Sequence, residues 1–419
     1  MSKLAFGTKS SIRIDCCQVC SSPDLEEIIS LGHLPQVNVM QTIGEELQED
    51  IFFPAEMLVC KKCSLVQLSH IVDPQIIFPP SYAYTSRTTR ILKDNFRNLS
   101  QEAEQIIGLK KTDLVVDIGS NDGTLLSNFT KFRIQGVEPT DIAKYANSVG
   151  IPTIQGFFNH DTAKKIVAEQ GPAKLVTAAN VFAHIEDIHS IIEAIKTLID
   201  KDGVFISESH YLASLIETNQ YDTIYHEHLR YYSLTSLKYL FGMHDLEVFH
   251  ATYIPTHGGS IRVYAAKTGQ FKVNKSVSEI LYNESKVLTK EKFDEFKRLV
   301  VCSKFGLYKE IMLCAPNMMT RIGAIGAPSR ASTLINYVGL NEDIIKFVLE
   351  APGSNKIGKY SPGTKIPILE ESVDTLNSVN HLLLLSWHIA DEIKPKLRAK
   401  GYRGGFITPL PYVKFEGGI

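Results

Sequence analysis

The sequence predicts an α/β protein in three parts: a small cysteine-rich N-terminal domain, a central Rossmann-like domain and a second Rossmann-like α/β domain at the C-terminus. Five of the seven cysteines lie before residue 75, in a segment with little helical periodicity. Beyond it, apolar runs such as Leu114-Val-Val-Asp-Ile and Leu175-Val-Thr-Ala-Ala alternate with helical segments, a pattern typical of a doubly wound parallel sheet. A glycine turn after an apolar run recurs from Arg321 onwards, which indicates the second α/β unit.

The predicted limits of the three parts are residues 1–75, 76–275 and 276–419. Runs at 134–138 and 203–207 complete the strands predicted for the central part, and runs at 345–349 and 381–386 are strands predicted for the third. The charged, helix-patterned stretch 277–313 is predicted to be one connecting helix. The first part buries too little apolar surface to fold without a cross-link.

Charge and composition limit the classes of function that the chain is expected to have. The 44 basic and 46 acidic side chains give a net charge of −2, whereas proteins that bind nucleic acid usually carry a basic excess. No run of about 18 apolar residues predicts a membrane span, and the N-terminus lacks the apolar core of a signal peptide. Cysteines in a chain of this kind are expected to be reduced or metal-bound. We therefore expect a cytoplasmic protein without nucleic acid or membrane partners.

Two Cys-x-x-Cys pairs predict a metal site in the first part. They are Cys17 with Cys20 and Cys60 with Cys63, about forty residues apart. A gap of two residues lets both thiolates of a pair reach one ion, and two pairs complete a tetrahedral site. Four ligands without an open position describe a structural zinc ion. Cys16 has the wrong spacing to replace Cys17.

The first predicted strand of the central part ends in a glycine turn that predicts a nucleotide-type ligand. Asp117 precedes the turn Gly119-Ser-Asn-Asp122-Gly123, which is predicted to lead into a helix. Glu138 ends the next strand, where an acid can bind ribose hydroxyls. This arrangement fits a dinucleotide or S-adenosylmethionine. The dinucleotide fingerprint needs a middle glycine where pyrophosphate approaches, but here an acid occupies the turn. Asp122 would repel phosphates and suits the cationic end of S-adenosylmethionine, which is therefore the predicted cofactor.

The chain resembles a known family, the sugar C-methyltransferases that act on TDP-linked 4-keto-deoxyhexoses. The resemblance spans nearly the whole chain. The segments that carry it are Cys17 to Cys20, Cys60 to Cys63, Tyr82 to Ser86, Asp117 to Gly123, Gly156 to Phe158, Ala179 to His184, Tyr225 to His228, His257-Gly-Gly259, Gly326-Ala-Pro, Tyr360 to Gly363 and Ser386-Trp387.

The family resemblance implies a zinc domain, an S-adenosylmethionine domain and a nucleotide-sugar domain, in that order. It also implies positions for the site residues. The methyl-donor site would comprise Asp117, Gly119, Asn121, Asp122, Gly123, Glu138, Pro139, Phe157, Phe158 and Asn180, and the catalytic group would comprise Tyr82, His184, Tyr225, Glu227 and His228. The substrate contacts would comprise Tyr84, Ser86, His257, Gly259, Ser329, Arg330, Lys359 and Tyr360. The expected partner is a TDP-linked keto-deoxysugar, with GDP or CDP as alternatives, and the expected state is a monomer.

The chemistry of such a substrate explains why a histidine-rich segment is useful. A ketone at C4 acidifies the hydrogens on C3 and C5, so a base can form an enolate whose carbon attacks a methyl donor. His228 is the predicted base, because a histidine titrates near neutral pH. Tyr82, His184 and Tyr225 are candidate donors or positioning groups, and Glu227 is a candidate to orient an imidazole. The residues do not choose between C3 and C5; the resemblance favours C3.

The glycine turn of the third part predicts a diphosphate site. Ser329 and Arg330 follow Gly326 at the expected start of a helix, and Lys359 with Tyr360 are candidate nucleotide contacts. A nicotinamide site is the alternative, but no acid is found about twenty residues on, where 336–339 lies. Two departures from the family, Ser329-Arg330-Ala331 and Ser386-Trp387-His388, fall in this part, so the family's base and sugar do not transfer directly.

The sequence alone leaves two other functions open. One is O- or N-methylation of another metabolite, although nucleophiles that are already reactive have less need of a cluster such as 225–228. The other is RNA methylation by a zinc-ribbon protein, which the near-neutral net charge argues against.

Overall fold

A computed structural model of the chain describes residues 10–77, 90–315 and 319–418. The predicted site residues Tyr82, Tyr84 and Ser86 lie outside these ranges. Among the described helices, none combines the length and apolar character that a membrane crossing requires.

The N-terminal domain is an antiparallel β structure. Its elements are β1 (Ser11–Arg13), β2 (Leu25–Pro35), β3 (Phe52–Cys60), β4 (Val66–Leu68), β5 (His70–Val72) and the short helix α1 (Pro74–Ile77). Strands β2 and β3 form a long twisted hairpin whose register shifts twice. The second cysteine pair lies in the turn between β3 and β4, so the hairpin and the predicted metal site are one unit.

The central domain is built on a mixed seven-stranded sheet in the order β12-β13-β10-β9-β6-β7-β8. Its strands are β6 (Leu114–Ile118), β7 (Arg133–Glu138), β8 (Thr153–Gln155), β9 (Ala173–Ala179), β10 (Ile199–His210), β12 (Leu246–Ile254) and β13 (Ser260–Lys267). Its helices are α2 (Arg90–Ile107), α3 (Ile142–Ser148), α4 (His160–Gln170), α5 (Ile188–Leu198), α6 (Leu212–Glu217) and α7 (Leu234–Gly242). The chain reverses direction across the sheet between β6 and β9, and open α/β sheets bind ligands at such a switch point.

One local prediction about this domain was wrong. The glycine turn after β6 is followed by a single 3-10 turn, Leu126–Asn128, rather than by an α-helix. Asn128 and Ser127 donate side-chain hydrogen bonds to the carbonyl of Thr124, and such local bonds compete with helix formation. Because no helix begins at this turn, the turn lacks the helix N-terminus on which pyrophosphate sites are built.

The predicted connecting helix is in fact two helices. They are α8 (Lys275–Val287) and α9 (Lys290–Cys314), and the break falls where Thr289 caps α9 by accepting a hydrogen bond from the Lys292 amide. Helix α8 packs against β12 and α7, and its buried Glu284 accepts hydrogen bonds from the first amides of α7. The domain limits stay a prediction; this packing favours a division after Val287.

The third domain is a six-stranded sheet in the order β16-β15-β14-β17-β18-β19, parallel except for its last strand. Its elements are β14 (Ile322–Ile325), α10 (Ser329–Val338), β15 (Ile345–Glu350), β16 (Ile368–Glu370), α11 (Val373–Asn377), β17 (His381–Leu384), α12 (Ala390–Ala399), β18 (Gly405–Thr408) and β19 (Lys414–Glu416). Here too the chain reverses across the sheet, between β14 and β17, so this sheet has its own switch point. The α/β class and the two Rossmann-like units are confirmed.

A short strand ties the first two domains together. Strand β11 (Arg230–Tyr231) pairs antiparallel with β4 and extends the N-terminal sheet. It directly follows the predicted catalytic segment 225–228, so that segment is held at the junction.

A buried arginine links three elements of the central domain. Arg262 on β13 donates to Glu208 on β10 at 2.9 Å and to Glu102 on α2 at 2.6 Å. Asn95 on α2 bonds to both Glu208 and Arg262. The side chains of Arg262 and Glu208 are at most 1% exposed, so each charge depends on the other for compensation.

We predict that Arg262→Met destabilises the protein by about 3–5 kcal/mol, because it leaves a buried carboxylate without its cation. Chemical denaturation measures the change. The matched control is Lys131→Met, which removes the exposed pair with Glu104 and should cost about 1 kcal/mol or less. Equal losses in the two variants would contradict the interpretation.

Candidate active site and zinc centre

The four predicted cysteines converge on one point. Their sulfur atoms all lie within 4.8 Å of one another, with 3.5 Å between Cys17 and Cys63 and 3.4 Å between Cys20 and Cys60. An ion bound tetrahedrally by sulfurs at about 2.3 Å places them about 3.8 Å apart, so the cluster fits zinc. Cys16 lies outside the cluster.

Both knuckles have the same backbone turn. The amide of Ser21 donates to the Cys17 carbonyl, and the amide of Ser64 donates to the Cys60 carbonyl. Both serines have left-handed φ angles of 55° and 60°, which closes each turn around its thiols. The hydrogen bond from Cys63 lowers the pKa of the Cys17 thiol, in the direction of the thiolate that zinc binds.

The predicted donor residues gather at the switch point of the central sheet. Gly119 follows β6 with φ of 66°, and Asn180 follows β9 with φ of 60°. A side chain at Gly119 would run into Val181 of the β9 loop, so only glycine allows the two loops to meet. Asn121 also has a left-handed φ, of 51°. Strained backbone of this kind is often found at ligand sites.

Glu138 organises this crevice from the end of β7. Its carboxylate accepts hydrogen bonds from the amides of Asn121 at 3.0 Å and Thr140 at 2.9 Å. Asp117 lies below the turn and accepts from Thr177, and burial raises its pKa to about 7. Asp122 accepts from Thr124 and is buried in the turn.

The remaining predicted donor residues differ in exposure. Phe158 is 7% exposed and packs in the central core, whereas Phe157 is 68% exposed. Gly123 has a left-handed φ of 78°, and Pro139 follows Glu138 at the same sheet edge. Phe157 therefore has a free face beside the crevice.

Segment 218–229, which carries three of the predicted catalytic residues, Tyr225, Glu227 and His228, is held by all three domains. The Leu68 amide of the N-terminal sheet donates to the carbonyl of Leu229, and the Leu229 amide donates to Ala183 of the central domain. Arg330 of the third domain donates to both carboxylate oxygens of Asp222 at 2.8 Å. We call this segment the junction loop.

The junction loop fixes which ring nitrogens can accept protons. His228 Nδ1 lies 3.1 Å from the Thr223 carbonyl, and His184 Nδ1 lies 2.5 Å from the Glu227 carbonyl. A carbonyl only accepts, so both rings carry a proton on Nδ1, and the neutral ring of His228 keeps Nε2 as its acceptor. The Nε2 atom of His228 lies 3.2 Å from the hydroxyl of Tyr225.

Glu227 orients an imidazole with its backbone rather than with its carboxylate. The carboxylate instead accepts from Asn38, and Asn38 in turn accepts from Ser329 at 3.3 Å. A chain of polar contacts thus runs from the junction loop through the N-terminal domain to the start of α10. His226 packs on Phe53 and donates a hydrogen bond to the Pro54 carbonyl.

Five histidines line the space between the two switch points. The ring centroids of His228 lie 5.1 Å from His184 and 5.7 Å from His210, and His210 lies 5.7 Å from His257. His388 Nδ1 lies 3.4 Å from Arg330. Burial, followed by the nearby charges, lowers the pKa of His228 to about 3, of His257 to about 4 and of His388 to about 2. These imidazoles are neutral at pH 7.

The glycine turn of the third domain makes the same backbone contacts as the turn of the donor crevice in the central domain. The amide of Gly326 donates to the Leu349 carbonyl at 2.8 Å, as Gly119 does to Val137. The amide of Ala327 donates to Glu350 at the end of β15, as Asn121 does to Glu138. The prediction that no acid follows this turn was wrong, because the acid ends the next strand and does not lie at 336–339.

Sequence reasoning also missed a lysine in this crevice and the partner of an arginine. Lys356, whose pKa is lowered by burial, donates to the Ala327 carbonyl at 2.5 Å. Arg330 is paired with Asp222, so much of its guanidinium is already engaged. Lys359 and Tyr360 pair through their backbone with 41–42 of the N-terminal domain. Gly259 packs against Ser214, which leaves no room for a side chain.

We predict one zinc ion per chain, measurable by elemental analysis. Cys60→Ala should lose the metal and unfold the N-terminal sheet, because the small domain depends on this cross-link. Cys302→Ala, at an exposed helical position, is the matched control and should keep full metal content. Full zinc occupancy in Cys60→Ala would contradict the four-thiolate site.

We predict that the free energy of unfolding falls as pH drops below about 6.5. Histidines that stay neutral in the folded state take up protons on unfolding, so acid favours the unfolded state. Replacing His388, with its pKa of about 2, by Asn should reduce this loss by up to about 2 kcal/mol at pH 5. Denaturation at pH 5, 6, 7 and 8 measures it. Identical pH profiles for the two proteins would refute a neutral, buried His388.

Comparisons with known proteins cover the three domains. Residues 17–78 match a family of zinc binding domains, residues 84–251 match a methyltransferase domain family, and residues 255–411 match the C-methyltransferase C-terminal domain family. The C-methyltransferase NovU of Streptomyces niveus is 33% identical over 405 residues, which cover 95% of this chain and 96% of NovU.

Solved structures match more weakly. The PH0226 protein of Pyrococcus horikoshii is 13% identical and covers 46% of this chain and 98% of its own, with a TM-score of 0.35. An S-adenosylmethionine-dependent methyltransferase from Clostridium acetobutylicum is 12% identical and covers 42% of this chain and 92% of its own, with a TM-score of 0.33.

The full-length similarity and the site geometry agree. The four-thiolate cluster lies in the region matched as a zinc binding domain, and the donor crevice lies in the region matched as a methyltransferase domain. Zinc is the structural metal, and S-adenosylmethionine is the methyl donor. The chain therefore belongs to the family of zinc-containing, S-adenosylmethionine-dependent C-methyltransferases.

Proposed function

We propose that this enzyme methylates a ring carbon of a nucleotide-linked 4-keto-6-deoxy sugar, at C3. The observation that carries the proposal is that residues from both α/β domains, near the switch point of each sheet, meet at the same group of histidines. The ring of His228 lies near that of His184 from the central domain, and Arg330 with His388 reaches the same space from the third domain. A donor in one crevice and a substrate anchored in the other would meet there.

Nucleotide linkage is supported by the chemistry of the third-domain crevice. Helix α10 begins at Ser329 directly after the glycine turn, and its free amides suit a diphosphate. Glu350 ends the next strand, in the position from which an acid binds ribose hydroxyls. Lys356 supplies a cation beside the turn. These three groups match phosphate and sugar better than they match a purely apolar metabolite.

The proton transfer follows from the position of His228. Its Nε2 lone pair accepts the proton from C3, and the C–H electrons form the C3=C4 enolate with negative charge on the C4 oxygen. The new imidazolium keeps two acceptors, since Thr223 receives Nδ1–H and the Tyr225 hydroxyl can receive Nε2–H. Loss of a proton next to a ketone makes carbon nucleophilic.

S-adenosylmethionine, held by crevice residues such as Gly119, Glu138 and Asn180, would supply an electrophilic methyl group on a sulfonium sulfur. The enolate carbon would take up that methyl, and the electrons of the broken C–S bond would leave with sulfur as a neutral thioether. Burial of Tyr225, Glu227 and His228 at 8%, 4% and 8% exposure limits water near the enolate, which favours transfer of the methyl over return of a proton when the donor is bound.

The test is an isotope experiment with nucleotide-linked 4-keto-6-deoxy sugars in deuterated water. With the donor, we expect a gain of one methyl. Without it, we expect deuterium uptake at the same carbon. Fragment masses distinguish C3 from C5 and carbon from oxygen. Methylation on oxygen, or no reaction with TDP, GDP or CDP sugars, would overturn the proposal.

We predict that His228→Leu lowers both the exchange rate and kcat by about 10²–10⁴-fold, as expected when a general base is removed. The control is His160→Leu at an exposed position of α4, which should retain both rates. An unchanged exchange rate in His228→Leu would assign the base elsewhere.

A further inference from the structure

We propose that His210 is a second catalytic residue, one that donates a hydrogen bond to the oxygen of the enolate. The inference rests on the proposed function and names a role that neither the sequence motifs nor the reaction outline assigned. His210 is the last residue of β10, opposite Ser260 of β13. It therefore lies at the carboxyl edge of the central sheet, where ligands bind.

Among the described residues, no group makes a hydrogen bond to the ring nitrogens of His210. Within the described ranges its contacts are with the rings of His228 and His257, and no group of the chain donates to or accepts from Nδ1 or Nε2. A buried or half-buried imidazole without a partner is costly unless a ligand supplies one. By contrast, His184, His226 and His228 are each anchored to a backbone carbonyl.

The location of His210 suits a contact with the enolate oxygen rather than with the methyl group of the donor. His184 lies on one side of His228, next to the donor crevice, and His210 lies on another, towards His257 and the third domain. The ring centroids of His228 and His210 lie 5.7 Å apart. A ketone next to a substrate carbon at His228 Nε2 would therefore be within hydrogen-bonding reach of the His210 ring.

The backbone beyond His210 is held rigidly. His257 has a left-handed φ of 55° and is not a glycine, and Gly258 packs against Gln220 so closely that a side chain would clash. The Tyr211 amide donates to the Gly259 carbonyl at 3.1 Å. A donor fixed in advance stabilises developing charge without reorganising during the reaction.

The charge state of His210 also suits this role. The groups that face it are the rings of His228, His257 and His388 and the guanidinium of Arg330, and together with burial they hold its pKa well below the ordinary value. The ring stays neutral, so it donates a hydrogen bond instead of transferring a proton to the oxygen. Neutral imidazole serves as the electrophile in other enolising enzymes.

The experiment compares His210→Leu with His210→Gln in the full-length zinc enzyme, using the sugar that the wild type methylates fastest. Loss of one oxyanion donor typically lowers kcat by about 10²–10³-fold. We expect that loss in His210→Leu, for both donor-free deuterium exchange and kcat, with KM changed less than about three-fold. The amide of His210→Gln should restore part of both rates, because it can donate to the same oxygen.

Two controls accompany the variants. Calorimetric affinity for S-adenosylhomocysteine checks that the variants remain folded, and His160→Leu checks for a nonspecific effect of losing a histidine. Unchanged exchange in His210→Leu would overturn the proposal, and so would a rise in KM alone, which would indicate ground-state binding. Absence of exchange in the wild type would instead refute the proposed function.

Discussion

The buried ion pair between Asp222 and Arg330 is the contact on which the active-site geometry depends. Asp222 lies in the junction loop at 1% exposure, and Arg330 lies at the start of α10 at 6%. Both oxygens of the carboxylate bind the guanidinium, and the indole of Trp387 donates to one of them at 2.7 Å. Such a pair adds little net stability. Separating the two partners, however, leaves a buried charge without compensation and is strongly destabilising. It therefore specifies one position of the loop.

Other contacts restrict the same loop from the opposite side. The zinc knuckle precedes β4, β4 pairs with β11, and β11 continues the chain directly from His228 and Leu229. The zinc ion thus affects the active site indirectly, because it stabilises the sheet to which the catalytic segment is attached. The third domain holds one end of the loop and the zinc domain holds the other, and the central domain contributes His184 between them.

Much of the fold could be predicted from local pattern. The all-buried run Leu114–Ile118 and the glycine turn after it lie where periodicity placed them, and the cysteine spacing located the metal cluster. Predictions failed where tertiary contacts decide. The helix expected after Gly123 is replaced by a 3-10 turn with side-chain bonds, and the helix expected over 277–313 breaks at the Thr289 cap.

Only part of the site could be predicted, because tertiary contacts decide the rest of it as well. Motifs located His184 and His228, but the partners of these residues come from distant segments. Asp222 holds Arg330 across 108 residues, and no spacing rule reveals that contact. His210 and Glu350 could have been found by asking which polar residues end each parallel strand, since those ends meet at the ligand edge. The predicted strand at 203–207 stopped three residues short of His210.

The most direct test of this account is hydrogen exchange of the junction loop in Asp222→Asn, measured by mass spectrometry of peptides spanning 218–229. Asp391→Asn, an exposed change in the third domain, is the control. The account predicts faster exchange in the loop of Asp222→Asn, with β6 and β9 as protected as in the wild type. Loop exchange unchanged by Asp222→Asn would contradict the claim that the third domain positions the catalytic segment through this ion pair.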